Sequence, residues 1–355
     1  MDAAEAARLV DEIDALCSPR GLVQVMEVCG THTVSFFRTG VKSLLPDSLR
    51  LISGPGCPVC VTSQGYLDTA CDLAAQPHVI VCTYGDMVRV PGSRGSLADV
   101  RGRGGRVVIV YSARDALRIA SENPDAKVVF LAVGFETTTP PTAATVLEAQ
   151  RRSIDNFFIL PCHKLVIPAM AALLAEGEVP IDGFLCPGHV SVVIGTQAYE
   201  PIAADYGKPC VVAGFEPAQM LRGVLWLARQ VAAGEAKVEN VYPVAVSREG
   251  NTVARECIDR VFTPADAAWR AMGVIPQSGL ELREEFQRFD ARWEFDVEFG
   301  PDGCPPGCRC GEVIQGKVTP AECPLFAEAC TPIDPIGPCM VSSEGTCAAW
   351  YKYNR

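Results

Sequence analysis

The chain has no apolar run long enough to cross a membrane: the longest runs, such as Val128 to Val133, are about a third of the ~20 residues a spanning helix needs. It has no basic excess either. Its 31 Lys and Arg stand against 42 Asp and Glu, a net charge of −11, which repels nucleic-acid backbones and anionic lipid. No G-x4-G-K-[ST] loop occurs, and the Gly- and Arg-rich stretch RGRGGR (101–106) precedes a strand pattern instead of following one, so a nucleotide fold in the usual sense is unsupported. The opening residues MDAAEAARLVDEIDAL are acidic and amphipathic, unlike a secretory leader, and point to a soluble cytoplasmic protein. Charged residues are 21% and hydrophobic ones 48%, which excludes a disordered chain or a coiled coil.

What is present is enough for two or three domains, since 355 residues divide by roughly 150 per domain. Between Leu22 and Tyr242, short β-branched runs alternate with helical stretches: VQVMEV, LRLIS, HVIVCT, RVVIVY, KVVFLAV, FFILP, IDGFLC and PCVVAG. Such alternation predicts parallel strands joined by crossover helices. The segments KVVFLAVGFETT (127–138) and KPCVVAGFEPAQ (208–219) share a buried strand, Gly-Phe-Glu and a helix start, which favours two smaller sheets over one large one. The expected fold is therefore α/β, with two doubly wound, Rossmann-like domains at 21–125 and 126–245. Beyond Val244, helices are expected around 248–261 and 280–289, followed by a Pro- and Gly-rich tail.

The strand exits carry the chemistry: CGTHT (29–33), GPGCPVC (54–60), TYGDMVRVPG (83–92), GFETTTP (134–140), PCHK (161–164), PGHVS (187–191) and GFEP (214–217). Parallel sheets align such exits along one rim, where α/β folds bind ligands. Cys57 and Cys60 form a C-x2-C between a strand and a helix start, a reactive dithiol arrangement in which a helix N-terminus favours thiolate. Cys29 sits at the corresponding place one strand earlier, with His32 a helical turn on; it is either a thiol of the same site or a small buried hydrophobe. Glu136 reads as a helix-start acid or as a rim carboxylate. His189 and His163 read as ligands, acid–base groups or structural imidazoles. Cys17, Cys71, Cys82, Cys210 and Cys257 lie on helix or strand patterns and are expected in the core.

Seven of the 17 cysteines fall after residue 303: Cys304, Cys308, Cys310, Cys323, Cys330, Cys339 and Cys347. Residues 304–347 also hold seven Pro and five Gly with few large apolar side chains, so metal or covalent bonds are expected to hold the segment. The tail has one close pair, Cys304-x3-Cys308, and not the two that structural zinc prefers, and the bacterial ferredoxin run is absent. The spacing Cys308-x14-Cys323-x6-Cys330-x16-Cys347 can still wrap an iron–sulfur cluster or zinc, the other reading being free or disulfide-bonded thiols.

Taken in order, CGTHT, GPGCPVC, GFETT, PGHVS and the tail CRCG…ECPLF…CTP…GPCMVSSEGTC resemble the HypD family of hydrogenase maturation factors over nearly the whole chain. The resemblance implies a scaffold that assembles the Fe(CN)2CO unit of [NiFe]-hydrogenases with the small chaperone HypC and the cyanide donor HypE, before delivery through HypC to the hydrogenase large subunit. It implies a [4Fe-4S] cluster on Cys308, Cys323, Cys330 and Cys347, a redox-active disulfide between Cys310 and Cys339, and a third, discontinuous domain made of 1–20 and 246–355. Iron carrying cyanide and carbonyl favours soft thiolate donors, for which Cys29, Cys57 and Cys60 are the candidates, with His32, Glu136 and His189 on the same rim. Two other readings keep the cysteines: an iron–sulfur-dependent protein disulfide reductase, and a zinc-stapled interaction protein without redox chemistry.

Overall fold

The computed structural model describes residues 2–354. All eight runs form strands: β1 (Val23–Glu27), β2 (Leu49–Ser53), β3 (Val79–Thr83), β4 (Arg106–Ile109), β5 (Lys127–Gly134), β6 (Phe157–His163), β7 (Gly183–Pro187) and β8 (Cys210–Ala213). A short ninth, β9 (Val238–Asn240), follows. They form two wholly parallel sheets, ordered β2-β1-β7-β8-β9 and β4-β3-β5-β6. β5 and β6 are buried at nearly every position, as expected where helices cover both faces. The fold is the α/β, doubly wound type expected, with the two similar Gly-Phe-Glu segments placed one in each sheet.

The sheets do not follow the division at 125/126. β1 and β2 pair with β7 to β9, while β3 and β4 pair with β5 and β6, so one lobe is continuous in sequence and the other is closed around it. Strand pairing is decided by which buried faces meet, and β-branched runs of similar length do not encode their neighbours.

Two further expectations are corrected. The N-terminal helix Ala3–Cys17 does not join the tail; Ala6, Ile13 and Cys17 enter the core beneath β1, β2 and β8. Arg222 and Arg229 of the helix Pro217–Ala233 pair with its Glu5 and Glu12 at 2.8 and 2.6 Å. Residues 280–289 are not a helix: β10 (Phe262–Trp269) and β11 (Gly273–Leu282) form an antiparallel hairpin, with a 3-10 turn at Glu284–Phe289. The hairpin covers β6, where Lys164 bridges to Gly279 and Ile159 to Asp290. The helix expected near 248–261 is present at Thr252–Val261.

The tail is folded rather than loose. Cys310, Val313, Ile314, Cys330, Cys339, Met340 and Cys347 share a core with β1, β2, β3 and β5 residues. No helix of the described residues is long and apolar enough to cross a membrane.

Candidate functional site

In each sheet the strand order reverses once, between β1 and β7 and between β3 and β5, and a parallel sheet opens a crevice at such a point because successive crossovers leave on opposite sides. Both crevices open into one cavity of about 430 Å³. Cys29 and Thr31 line it from the β1 exit, Pro58 from β2, Tyr84 and Asp86 from β3, Thr137 and Thr138 from β5, and His189 from β7. The rim expected from the sequence is thus two rims face to face.

Cys29 caps the helix Gly30–Arg38, and Cys57 caps the short helix Pro58–Val61, whose Pro58 occupies the first turn where no amide is needed. The two exits are joined through Gly56, whose carbonyl accepts the Gly30 N–H at 3.0 Å. A Cβ on Gly56 would lie 2.3 Å from the Cys29 nitrogen, so this approach requires glycine. Gly56→Ala is expected to force the exits apart at a cost of about 2–4 kcal/mol, seen as a lowered unfolding midpoint. An unchanged midpoint would contradict the packing.

Cys57 and Cys60 form a disulfide, the only one among the described residues. Cys29 is a buried thiol. Burial, and then the Glu344 carboxylate, push it up to about 12, outweighing the N–H groups of His32 and Thr31 that face the sulfur. Although it sits at a helix N-terminus, Cys29 therefore rests as the protonated thiol. The His32 imidazole turns away from Cys29: its Nε2 lies 3.0 Å from the Gly214 carbonyl oxygen, and burial lowers its pKa to about 4. Phe215 lies between this ring and His189, at centroid distances of 4.7 and 3.9 Å. His189 reaches the cavity, with its pKa lowered by partial burial.

Glu136 serves as the helix-start acid. Its Oε1 accepts the Val166 N–H at 2.9 Å, at the first residue of the helix Val166–Glu176. Burial raises its pKa to about 7, against the bond from Val166, and Oε2 has no partner. The folded state holds this proton more tightly than the unfolded one, so stability falls as pH rises from about 4.5 to about 7. Glu136→Gln keeps an acceptor for Val166 and removes that loss. Its unfolding free energy is expected to exceed that of the parent by about 3 kcal/mol above pH 7, and to match it near pH 4, in denaturant titrations across pH. His163 is buried near Thr142, 3.5 Å away, behind the cavity rather than in it.

The tail supplies residues that the sequence reading missed. Asp86 accepts from Ser342 Oγ, Ser343 N and Ser343 Oγ at 3.2, 2.9 and 2.9 Å, and Thr31 donates to Glu344 at 2.5 Å. Residues 342–344, lying between Cys339 and Cys347, therefore close the cavity two residues from Cys29. The strand-exit rule pointed at the loop containing Asp86; nothing in the local pattern singled out Glu344 or Phe215.

Of the tail cysteines, Cys310, Cys323, Cys330, Cys339 and Cys347 are buried, Cys308 is half-buried and Cys304 is exposed. Cys310 and Cys339 are thiols and are not bonded to each other. Cys310 shares hydrogen bonds with Cys304 and Cys308, and Cys339 shares one with Cys347. Cys308 and Cys323 act electrostatically on Cys330, and Cys308 and Cys330 act on Cys347. Gly337 lies against Cys308 and Cys310, since a Cβ there would be 2.8 Å from Cys308 Sγ and 3.4 Å from Cys310 Sγ. Among the described residues, no three His, Cys, Asp or Glu side chains gather tightly enough to hold a single ion. Four thiols are soft donors, and their chemistry suits an iron–sulfur cluster, which spreads its thiolates over several irons, as well as zinc. Elsewhere, Cys17, Cys82 and Cys210 are core residues as expected, while Cys71 and Cys257 are only half-buried.

Fold and cavity together define a class: α/β proteins with two parallel sheets that present a buried thiol, Cys29, and an adjoining disulfide at the strand exits, with a cysteine-rich tail over the cleft. A family model described as "Hydrogenase formation hypA family" matches residues 4–354. The chain belongs to the HypD family of hydrogenase maturation factors. It is 48% identical to the hydrogenase maturation factor HypD of Cupriavidus necator, over 99% of this chain and 94% of that one. It is 48% identical to the HypD of Escherichia coli, over 94% and 90% of the two chains. A putative hydrogenase expression/formation protein of Methanocaldococcus jannaschii is 43% identical over 100% of this chain and 98% of its own.

Proposed function

We propose that the cleft is where the Fe(CN)2CO unit of a [NiFe]-hydrogenase is built, with HypC and HypE as partners and delivery to the large subunit through HypC. The observation that carries this reading is the convergence of Cys29 and the Cys57–Cys60 pair at adjoining strand exits, joined through Gly56, beside a cavity of about 430 Å³. The iron is cargo. Cys29 gives it a soft sulfur donor once the thiol proton has left, and HypC supplies another.

Cyanide arriving as a thiocyanate on HypE is freed by reduction. Two thiols and R–S–CN give a disulfide, R–SH and HCN: the S–S bond forms, the S–CN bond breaks, and the thiol hydrogens pass to the two products. The Cys57–Cys60 disulfide is the oxidised form such a step leaves behind. Asp86 and Thr31 hold residues 342–344 across the opening, which limits access of water. A [4Fe-4S] cluster on Cys308, Cys323, Cys330 and Cys347 supplies single electrons to this thiol system when bound. Cys310 and Cys339 lie among those ligands, as thiols able to store an electron pair.

The test is infrared spectroscopy in the cyanide and carbonyl stretching region on anaerobically purified protein with HypC, with iron and sulfide assayed on the same sample. Bands together with about four irons beyond the cargo iron support the reading. Iron and sulfide without bands favour the disulfide reductase, and a colourless protein lacking both overturns the cluster assignment.

A further inference from the structure

Arg270 sits in the turn between β10 and β11 and is wholly buried. Buried charges are normally paired, because an isolated one loses its hydration without return. Arg270 has no such pair. Its Nε donates to the Thr62 carbonyl at 2.8 Å and its Nη1 to the Gly303 carbonyl at 3.4 Å, while Nη2 has no hydrogen-bond partner. Among the described residues, no carboxylate forms an ion pair with it. The nearby Asp302 spends its oxygens on the backbone N–H groups of Gln64 and Ala271.

The guanidinium lies beside the cysteine-rich tail, its Nη1 bonding the carbonyl of the residue just before Cys304. Its field reaches both Cys304 and Cys308. Its backbone N–H bonds the Val61 carbonyl at 2.9 Å, so with the Nε bond it grips the two residues that follow Cys60. One buried cation therefore stands between the Cys57–Cys60 element and the tail cysteines, with a donor to spare.

We propose that Arg270 is the buried counter-charge of the anionic iron–sulfur group anchored at Cys308, its free Nη2–H donating to a sulfur of that group. The inference rests on the cluster reading above and goes beyond it in naming a residue that is not a ligand and yet sets the group's potential. A cluster held by four thiolates gains negative charge on reduction, so a fixed positive charge and a donated hydrogen bond favour the reduced form. No bond forms or breaks: one electron enters from the reductant and the group's charge changes by one. Arg270 is thus a positioning and electrostatic residue, and through its hold on Val61 and Thr62 it also keeps the disulfide element against the tail.

The experiment uses the full chain, reconstituted anaerobically with ferrous iron and sulfide, poised with dithionite and followed by electron paramagnetic resonance. Arg270→Gln is expected to load the same iron and sulfide but to shift the one-electron equilibrium tenfold or more toward the oxidised form, about 59 mV more negative. Arg270→Lys, which keeps the charge, is expected to retain most of the parent potential. An Arg270→Gln protein that loads fully at an unchanged potential overturns the proposal. Should that variant fail to fold, the parent labelled with 15N in its arginine side chains decides: the reduced cluster is expected to show hyperfine coupling to a guanidinium nitrogen, and its absence overturns the proposal. A parent chain that takes up neither iron nor sulfide overturns the cluster reading itself, an outcome distinct from both.

Discussion

Replacing Cys308 or Cys330 by alanine is expected to bring bound iron and sulfide close to zero, not merely to three quarters, because a cluster missing one of four thiolate anchors is lost as a unit. The tail should loosen with it. Residues 304–347 carry seven Pro and five Gly, and much of what they bury is sulfur, so metal binding and ordering are one equilibrium there. Cys330 also accepts the Ile336 N–H at 3.3 Å, a bond alanine cannot replace. Because Asp86 and Thr31 hold residues 342–344 over the cleft, loosening is expected to open the cavity as well. Iron and sulfide analysis with proteolysis of the tail reads both effects, and a variant with full metal content contradicts the ligand assignment.

Replacing Cys29 by alanine is expected to have the opposite pattern: tail iron and sulfide unchanged, cyanide and carbonyl bands absent from the complex with HypC, and hydrogenase maturation abolished. The substitution removes a single buried sulfur at 8% exposure, and alanine fits the same space, so the fold should survive with a loss of about 1 kcal/mol. Bands of parental intensity in that variant would show that Cys29 is not a ligand of the cargo iron. The two substitutions separate the two sites because Cys29 belongs to the β1 exit and Cys308 to the tail, with residues 342–344 among the contacts that bridge them.

The legible part of the molecule is what depends on short-range pattern. Eight β-branched runs became eight strands, and the rule that parallel strands end along one rim named the loops holding Cys29, Cys57, Asp86, Glu136 and His189 before any coordinates. Residues 280–282 read as helix because Leu282, Phe286 and Phe289 recur at helical spacing, whereas the antiparallel partner that makes them strand lies 16 to 20 residues earlier, Pro264 facing Leu280 and Phe262 facing Leu282. Glu136 was legible as an acid near a helix start, although the helix it serves follows a different strand. His32 was legible as a residue one turn from Cys29, yet its ring prefers the carbonyl of Gly214, 182 positions away.

By itself the sequence determined the α/β class, the eight principal strands, the family and the set of thiols, because each follows from local periodicity or from motifs read in order. Only the tertiary structure decided that β1 and β2 join β7 and not β3, that two switch points face one cavity, that Glu344 lies at Thr31 and that Arg270 is buried without a carboxylate. The physical reason is common to all four. They depend on which distant surfaces exclude water from one another, and on the desolvation that follows, and a linear pattern carries the propensity to be buried without naming the partner.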